Sequence, residues 1–205
     1  MFAFSKSDFR GFVNSKFIED SFLYDGSQLK SLFAYLNFGV EGDSVVAWRG
    51  ACDIPFDKML DGEDLRAKSA IRGADMLHFI AEIFGISLGH AVVLQRLLSS
   101  IAGDLLCEMS PRSPNVRRDG DDLYYRAPDR DERKLSISIA TVSPVSALVH
   151  FAINVDNRDT PVPTASLSDL EVPVVPFAKR LLERFAKEVE SIERATRKVR
   201  PTTNY

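Results

Sequence analysis

The chain has 205 residues, 45% hydrophobic and 27% charged, enough to build one large domain around a real core. Its formal charge of −3 supplies no field that would draw in a nucleic-acid backbone, which disfavours general nucleic-acid binding and leaves only local basic patches. No apolar run approaches a bilayer span, the start MFAFSKSDFRGF is too charged for a secretory signal, and two distant cysteines, Cys52 and Cys107, fit reduced thiols in a cytoplasm.

Residues 1–20 are aromatic without a clear period and read as an N-terminal extension with at most a short helix. Residues 21–200 read as one domain and 201–205 as a tail. Asp25-Gly26 is a turn signal. Leu29, Leu32, Phe33 and Leu36 have helical spacing over 29–37, and SVVAWRG at 44–50 reads as a buried strand ending at Gly50. From Asp64 to Phe84 the apolar positions Leu65, Ile71, Leu77, Ile80 and Phe84 predict an amphipathic helix, broken near Gly73 and ended by Gly85.

A second long helix is predicted from Leu88 to Met109, with Leu94, Leu97, Leu98, Ile101 and Leu105 on its stripe. The Pro-, Asp- and Arg-rich stretch after it contains the turn Arg118-Asp119-Gly120 and a short strand, DLYYR. Then come two strands in ERKLSISIATVSPVSALVHFAINVD, a Pro-rich connection over 159–164, and a final helix from Pro176 to Lys198 carrying Phe177, Leu181, Phe185, Val189 and Ile192. Helices and short strands mix without regular alternation of the βαβ kind, so the fold class is α+β.

Strand alternation places Leu135, Ile137 and Ile139 on one face, the core, and Lys134, Ser136, Ser138 and Ala140 on the other. On the returning strand Val149, Phe151, Ile153 and Val155 are core, while His150 and Asn154 share the small, polar face. Either that face floors a ligand site with Lys134 at its rim, or a helix covers it and neighbours satisfy the serines. Arg49 follows an apolar run and requires an anion: a ligand carboxylate or phosphate, or an ion pair with Asp25 or Asp53. Tyr24-Asp25-Gly26-Ser27 offers hydroxyls and a carboxylate but no glycine-rich phosphate cradle.

His78, His90, His150, Cys52 and Cys107 have no close metal-ligand spacing, so no metal site is expected. His78 reads as a packing histidine on its helix, and Cys107 as buried packing. Cys52 is placed in a loop near Arg49, a setting that lowers a thiol pKa, but it has no base nearby in sequence.

YDGSQL, NFG, GDSVVAWRGACD, DDLYYR and above all RKLSISIATVSPVSALVHFAINV resemble an uncharacterised family of archaea and bacteria, the domain-of-unknown-function family numbered 366. The resemblance runs from about Phe22 to the closing KVRP. It implies a mostly antiparallel sheet backed by helices, similar to the catalytic domain of biotin and lipoate protein ligases and class II aminoacyl-tRNA synthetases.

In the ligase branch a lysine opens a strand of the form K-hydrophobic-small and contacts the acyl group, a pattern that Lys134 matches. The resemblance therefore implies Lys134 as the group that handles an acyl or carboxylate oxygen, and it makes the face of Ser136, Ser138, His150 and Asn154 the expected floor of that site. Arg49, Asp25 and Ser27 are candidate ligand-binding residues from their own chemistry. The Gly- and Arg-rich adenylate loop of biotin ligases and the RRxSGGG segment of lipoate ligases have no counterpart, so the cofactor is unknown and ATP use lacks its usual loop.

The expected function is small-molecule binding with acyl transfer as a further step; the alternative is a binding protein without catalysis. A tRNA-linked role follows only from the synthetase branch, and the acidic chain argues against it. A homodimer is a further expectation, supported by apolar residues on the two long helices and by the aromatics near the start, with no surface assigned to it.

Overall fold

The computed structural model describes residues 13–112, 114–126, 131–157, 163–200 and 202. The possible helix near the start, Arg130 and most of the Pro-rich connection lie outside them.

A five-stranded sheet organises the molecule, in the order β1 (Asn14–Phe17), β2 (Ser44–Ile54), β3 (Ile71–Phe84), β8 (Ser146–Asp156) and β7 (Ser136–Val142). All its pairings are antiparallel except that of β1 with β2. A smaller antiparallel sheet joins β4 (Asn115–Asp119), β5 (Asp122–Arg126) and β6 (Glu132–Lys134). Val13 and Ile18 flank β1 and are buried, so part of the stretch set apart as an extension belongs to the sheet.

Two long helices, α3 (Leu88–Met109) and α4 (Val174–Thr196), cover one face of the large sheet. Each buries one stripe: Leu94, Leu98, Ala102 and Leu105 on α3, and Phe177, Leu181, Phe185 and Val189 on α4. Ser87 caps α3 by accepting from the His90 amide, and Pro176 sits in the first turn of α4, where proline costs no hydrogen bond.

The other face is covered by the chain between β1 and β2, including α1 (Phe33–Phe38). There Ile18, Tyr24, Leu29, Phe33 and Ala34 pack on Val46, Trp48, Met76, Ile80, Leu148 and Ala152. Glu82 ties this cover down from within the sheet: its carboxylate accepts from the Leu32 amide at 2.9 Å and from the Ser146 hydroxyl at 2.6 Å.

The predicted helix over 64–84 is a correction. Only Gly62–Ala67 is helical, as α2, with Asp61 accepting from the Glu63 and Asp64 amides. Residues 71–84 form β3, the middle strand. Leu77, Phe79, Ala81 and Ile83 face the long helices, while Met76, His78, Ile80 and Glu82 face the cover. A strand packed on both faces is largely apolar on both and loses the alternation that would distinguish it from a helix.

The hairpin faces are a second correction. β7 pairs Ser136 with Ile153, Ile137 with Ala152, Ser138 with Phe151 and Ile139 with His150. Ile137 and Ile139 therefore share a face with His150, and Ser136 and Ser138 face the long helices. The chain changes sheets at Leu135, whose amide donates to the Leu123 carbonyl at 2.8 Å. Lys134 ends β6 in the small sheet, and the break inverts the alternation extrapolated from it.

Candidate functional site

A cleft of about 440 Å³ opens on the cover side of the large sheet, where the small sheet meets it. Its floor is Met76, Ile137 and Asn154 from three adjacent strands. Its walls carry Asp61, Glu63 and Asp64 from the α2 region, Ile71 and Arg72 from β3, and Asp121, Asp122 and Lys134 from the small sheet.

Lys134 lies on the wall of this cleft. Its ammonium lies 2.7 Å from Asp122, with about a third of the side chain exposed. One partner among the described residues leaves donors to spare on an ammonium that has three. Burial pushes the Asp122 carboxyl up more than the Lys134 contact draws it down. The lysine backbone is clamped as well: its carbonyl accepts from the Ala165 amide at 3.0 Å, and Lys134 bridges Thr164.

Asn154 fixes this corner. Its Nδ2 donates to the Ala165 carbonyl at 3.1 Å and to the Lys134 carbonyl at 3.4 Å. Both amide protons being spent there, the oxygen Oδ1 is the atom left for the cleft, and no described residue donates to it. Ser136 and Ser138 border the cleft through their strand, but their hydroxyls are engaged elsewhere. Ser136 Oγ accepts from the Leu123 amide, and Ser138 Oγ accepts from Gln95 and donates to the His150 carbonyl. Gln95 also donates to Asp121 at 2.7 Å, so α3 braces the acidic wall.

His150 lies at the other end of the floor, in a recess that also takes in Tyr24, Lys58 and Ile139. His78 is a packing histidine as expected, but on β3 rather than a helix, bonded to His150 and to the Gly50 carbonyl.

Arg49, Asp25 and Ser27 do not join the cleft lining. Arg49 pairs with Asp75, neither of the partners considered for it, through two short hydrogen bonds from Nε and Nη2. Asp53 takes Arg72 instead, and Asp25 takes Lys58 at 2.5 Å. Ser27 donates to Asp25, closing a local turn, and the Lys58 ammonium, followed by the Ser27 hydroxyl, holds the Asp25 carboxyl far below its ordinary range. Cys52 is within β2 rather than a loop, and burial pushes its thiol up to about 12, the opposite of activation. Cys107, expected to be buried, is exposed.

Sequence reasoning passed over Lys58, Asp61, Asp64, Gln95, Asp121 and Asp122 as site residues, and weighed Tyr24 only as part of its turn. The acids stand in turns and at a helix start, where carboxylates are ordinarily solvated. Only the fold turns them toward one cleft. Among the described residues no three His, Cys, Asp or Glu side chains gather as a metal-holding group, and no helix is long and apolar enough to cross a membrane.

Residues 13–200 match the domain-of-unknown-function family DUF366. The chain belongs to that family. A solved protein of unknown function from Pyrococcus horikoshi is 37% identical and superposes with a TM-score of 0.85, over 93% of this chain and 100% of that one. The fold reaches further than the family. A mutant biotin protein ligase from Aquifex aeolicus in complex with biotin gives a TM-score of 0.57 at 14% identity, over 88% of this chain and 72% of that one. A bi-partite lipoate protein ligase from Thermoplasma acidophilum gives 0.51 at 13% identity, over 87% of this chain and 84% of that one. At such identities the likeness is one of fold: the DUF366 chain has the mixed α+β architecture of these ligases.

Proposed function

We propose that the cleft binds a small acyl compound whose carbonyl or carboxylate oxygen accepts from Lys134. The observation that carries this reading is the Lys134 ammonium, held on the cleft wall by a single anchoring carboxylate with donors to spare. The apolar floor of Met76 and Ile137 suits a hydrocarbon stem. Lys134→Met keeps the stem volume and removes the charge. Its affinity for octanoate should fall about tenfold or more in calorimetry, since bonds to charged groups are worth about 1.5–3 kcal/mol. Unchanged affinity in a normally folded variant would take Lys134 out of the site.

Acyl transfer is the further step, because a fixed ammonium can stabilise the negative charge that develops on an acyl oxygen. Binding without transfer has its own support. Asp61, Glu63, Asp64, Asp121 and Asp122 outnumber Lys134 and Arg72 in the cleft, and both cations already hold carboxylates. That surplus repels a bare triphosphate and accords with the missing adenylate loop. ATP–pyrophosphate exchange with a panel of carboxylic acids separates the two: exchange above background establishes adenylation, and none with any acid leaves the binding protein.

A further inference from the structure

Beyond Asp64 and Ile71 the cleft narrows into a recess of about 40 Å³ floored by His150, room for one small polar group. His150 is 1% exposed and lies under the Tyr24 ring, centroid to centroid 3.7 Å. Its Nε2 is 3.1 Å from His78 Nδ1, and His78 Nε2 is 3.2 Å from the Gly50 carbonyl oxygen.

The carbonyl can only accept, so His78 Nε2 carries a proton. A neutral His78 then has a lone pair on Nδ1, which makes His150 Nε2 the donor between the rings. Burial favours this neutral arrangement in both, holding His78 down to about 4 and His150 well below its ordinary value. The lone pair of His150 Nδ1 is what remains, on a ring that lines the recess, and no described residue donates to it.

The acceptor is not isolated. Asp61 and Asp64 stand in the same wall, while Lys58, the one cation there among the described residues, is paired with Asp25. Asn154 Oδ1 adds another acceptor along the floor. Around the recess the described acceptors therefore predominate, the cleft's two cations, Lys134 and Arg72, being paired with Asp122 and Asp53.

We propose that the recess holds an amine nitrogen of the bound compound, which donates to His150 Nδ1 under the negative charge of Asp61 and Asp64. The proposal builds on the reading of Lys134 by assigning the other end of the ligand: the compound is an amino-acyl chain, amine at His150 and acyl oxygen at Lys134. His150 and Asn154, which anchors Lys134, are four residues apart on β8, or about 13 Å, the length of an extended octyl chain with its end groups.

Three probes test it on the intact protein with isotope-labelled histidine, whose three imidazoles are His78, His90 and His150. Octylamine should move the Nδ1 resonance of His150 and leave His90 still, and ω-aminooctanoate should bind about tenfold tighter than octanoate. His150→Phe keeps a ring against Tyr24 and should abolish that preference; the wild-type spectra decide the matter even if this variant does not fold. A His150 resonance unmoved by saturating octylamine, with octanoate and ω-aminooctanoate binding equally, overturns the amine assignment and leaves Lys134 standing. A His150 response to octylamine, with both acids indifferent to the loss of Lys134, sustains the recess and overturns the acyl reading instead.

Discussion

Gly50→Ala should lower stability by roughly 3 kcal/mol, the upper part of the range for overpacking a rigid interior. A Cβ at Gly50 would stand 1.9 Å from the Phe22 carbonyl oxygen and 2.8 Å from its carbon. These are backbone atoms and cannot rotate away. The same carbonyl accepts from Trp48 Nε1 at 3.1 Å, and the Phe22 ring stacks on Trp48 at 4.6 Å, so pushing it aside breaks a bond and a stack together. Gly50 also supplies the carbonyl that fixes His78.

For a chain of this size such a loss corresponds to a melting temperature about 6–12 °C lower. Gly62→Ala is the control: nothing lies within 4 Å of its would-be Cβ, and helix α2 should tolerate or favour the change. Equal melting temperatures for the two variants would mean that the cover does not lie on the sheet at Gly50.

The second large effect is acid lability set by the histidine pair. His78 and His150 are packed among Tyr24, Trp48 and the Gly50 carbonyl, with the Asp75 carboxylate acting on His78 from a distance. Burial lowers both imidazoles, so the unfolded chain binds more protons than the native one as pH falls from about 6.5, the unfolded value, toward about 4.

Stability is therefore complete above pH 6.5 and is lost through that window, on the order of 3 kcal/mol for His78 alone. Urea midpoints should fall steadily between those values. A double variant carrying His78→Gln and His150→Phe should show a flatter profile, whatever its stability at neutral pH. A wild-type midpoint that holds constant down to pH 4 would show that the pair is charged or exposed.

What could be read from the residues alone follows from how many neighbours each element has. α3 and α4 each meet one layer, so their stripes survive in sequence, and both helices lie close to their expected bounds. β3 is covered on two sides, and in its run from Met76 to Phe84 only His78 and Glu82 are polar, both buried and four residues apart, a spacing that suits a helix face as well as a strand. The hairpin 132–156 was legible as strands but not as faces, because the change of sheet at Leu135 leaves no mark beyond an ordinary leucine.

The same holds for the site. Lys134 stood out because its motif is local. Tyr24, His78 and His150 are far apart in sequence and meet only through the registers of β2, β3 and β8. The acids of 61–64 and 121–122 look like turn residues until the small sheet folds against the large one. Arg49, Asp25 and Ser27 lie outside the cleft lining, and each is bonded to a protein partner: Asp75 for Arg49, Lys58 for Asp25 and Asp25 for Ser27.

The central claim is that the cleft between Lys134 and His150 is where a small molecule binds. A crystal structure of the protein with ω-aminooctanoate tests it directly. Density should run along Ile137 and Met76, with the carboxylate within hydrogen-bond distance of Lys134 Nζ and the amine at His150 Nδ1. Density instead in the separate hollow lined by Phe22, Ser27 and Asn37, with the cleft holding only water, would contradict it.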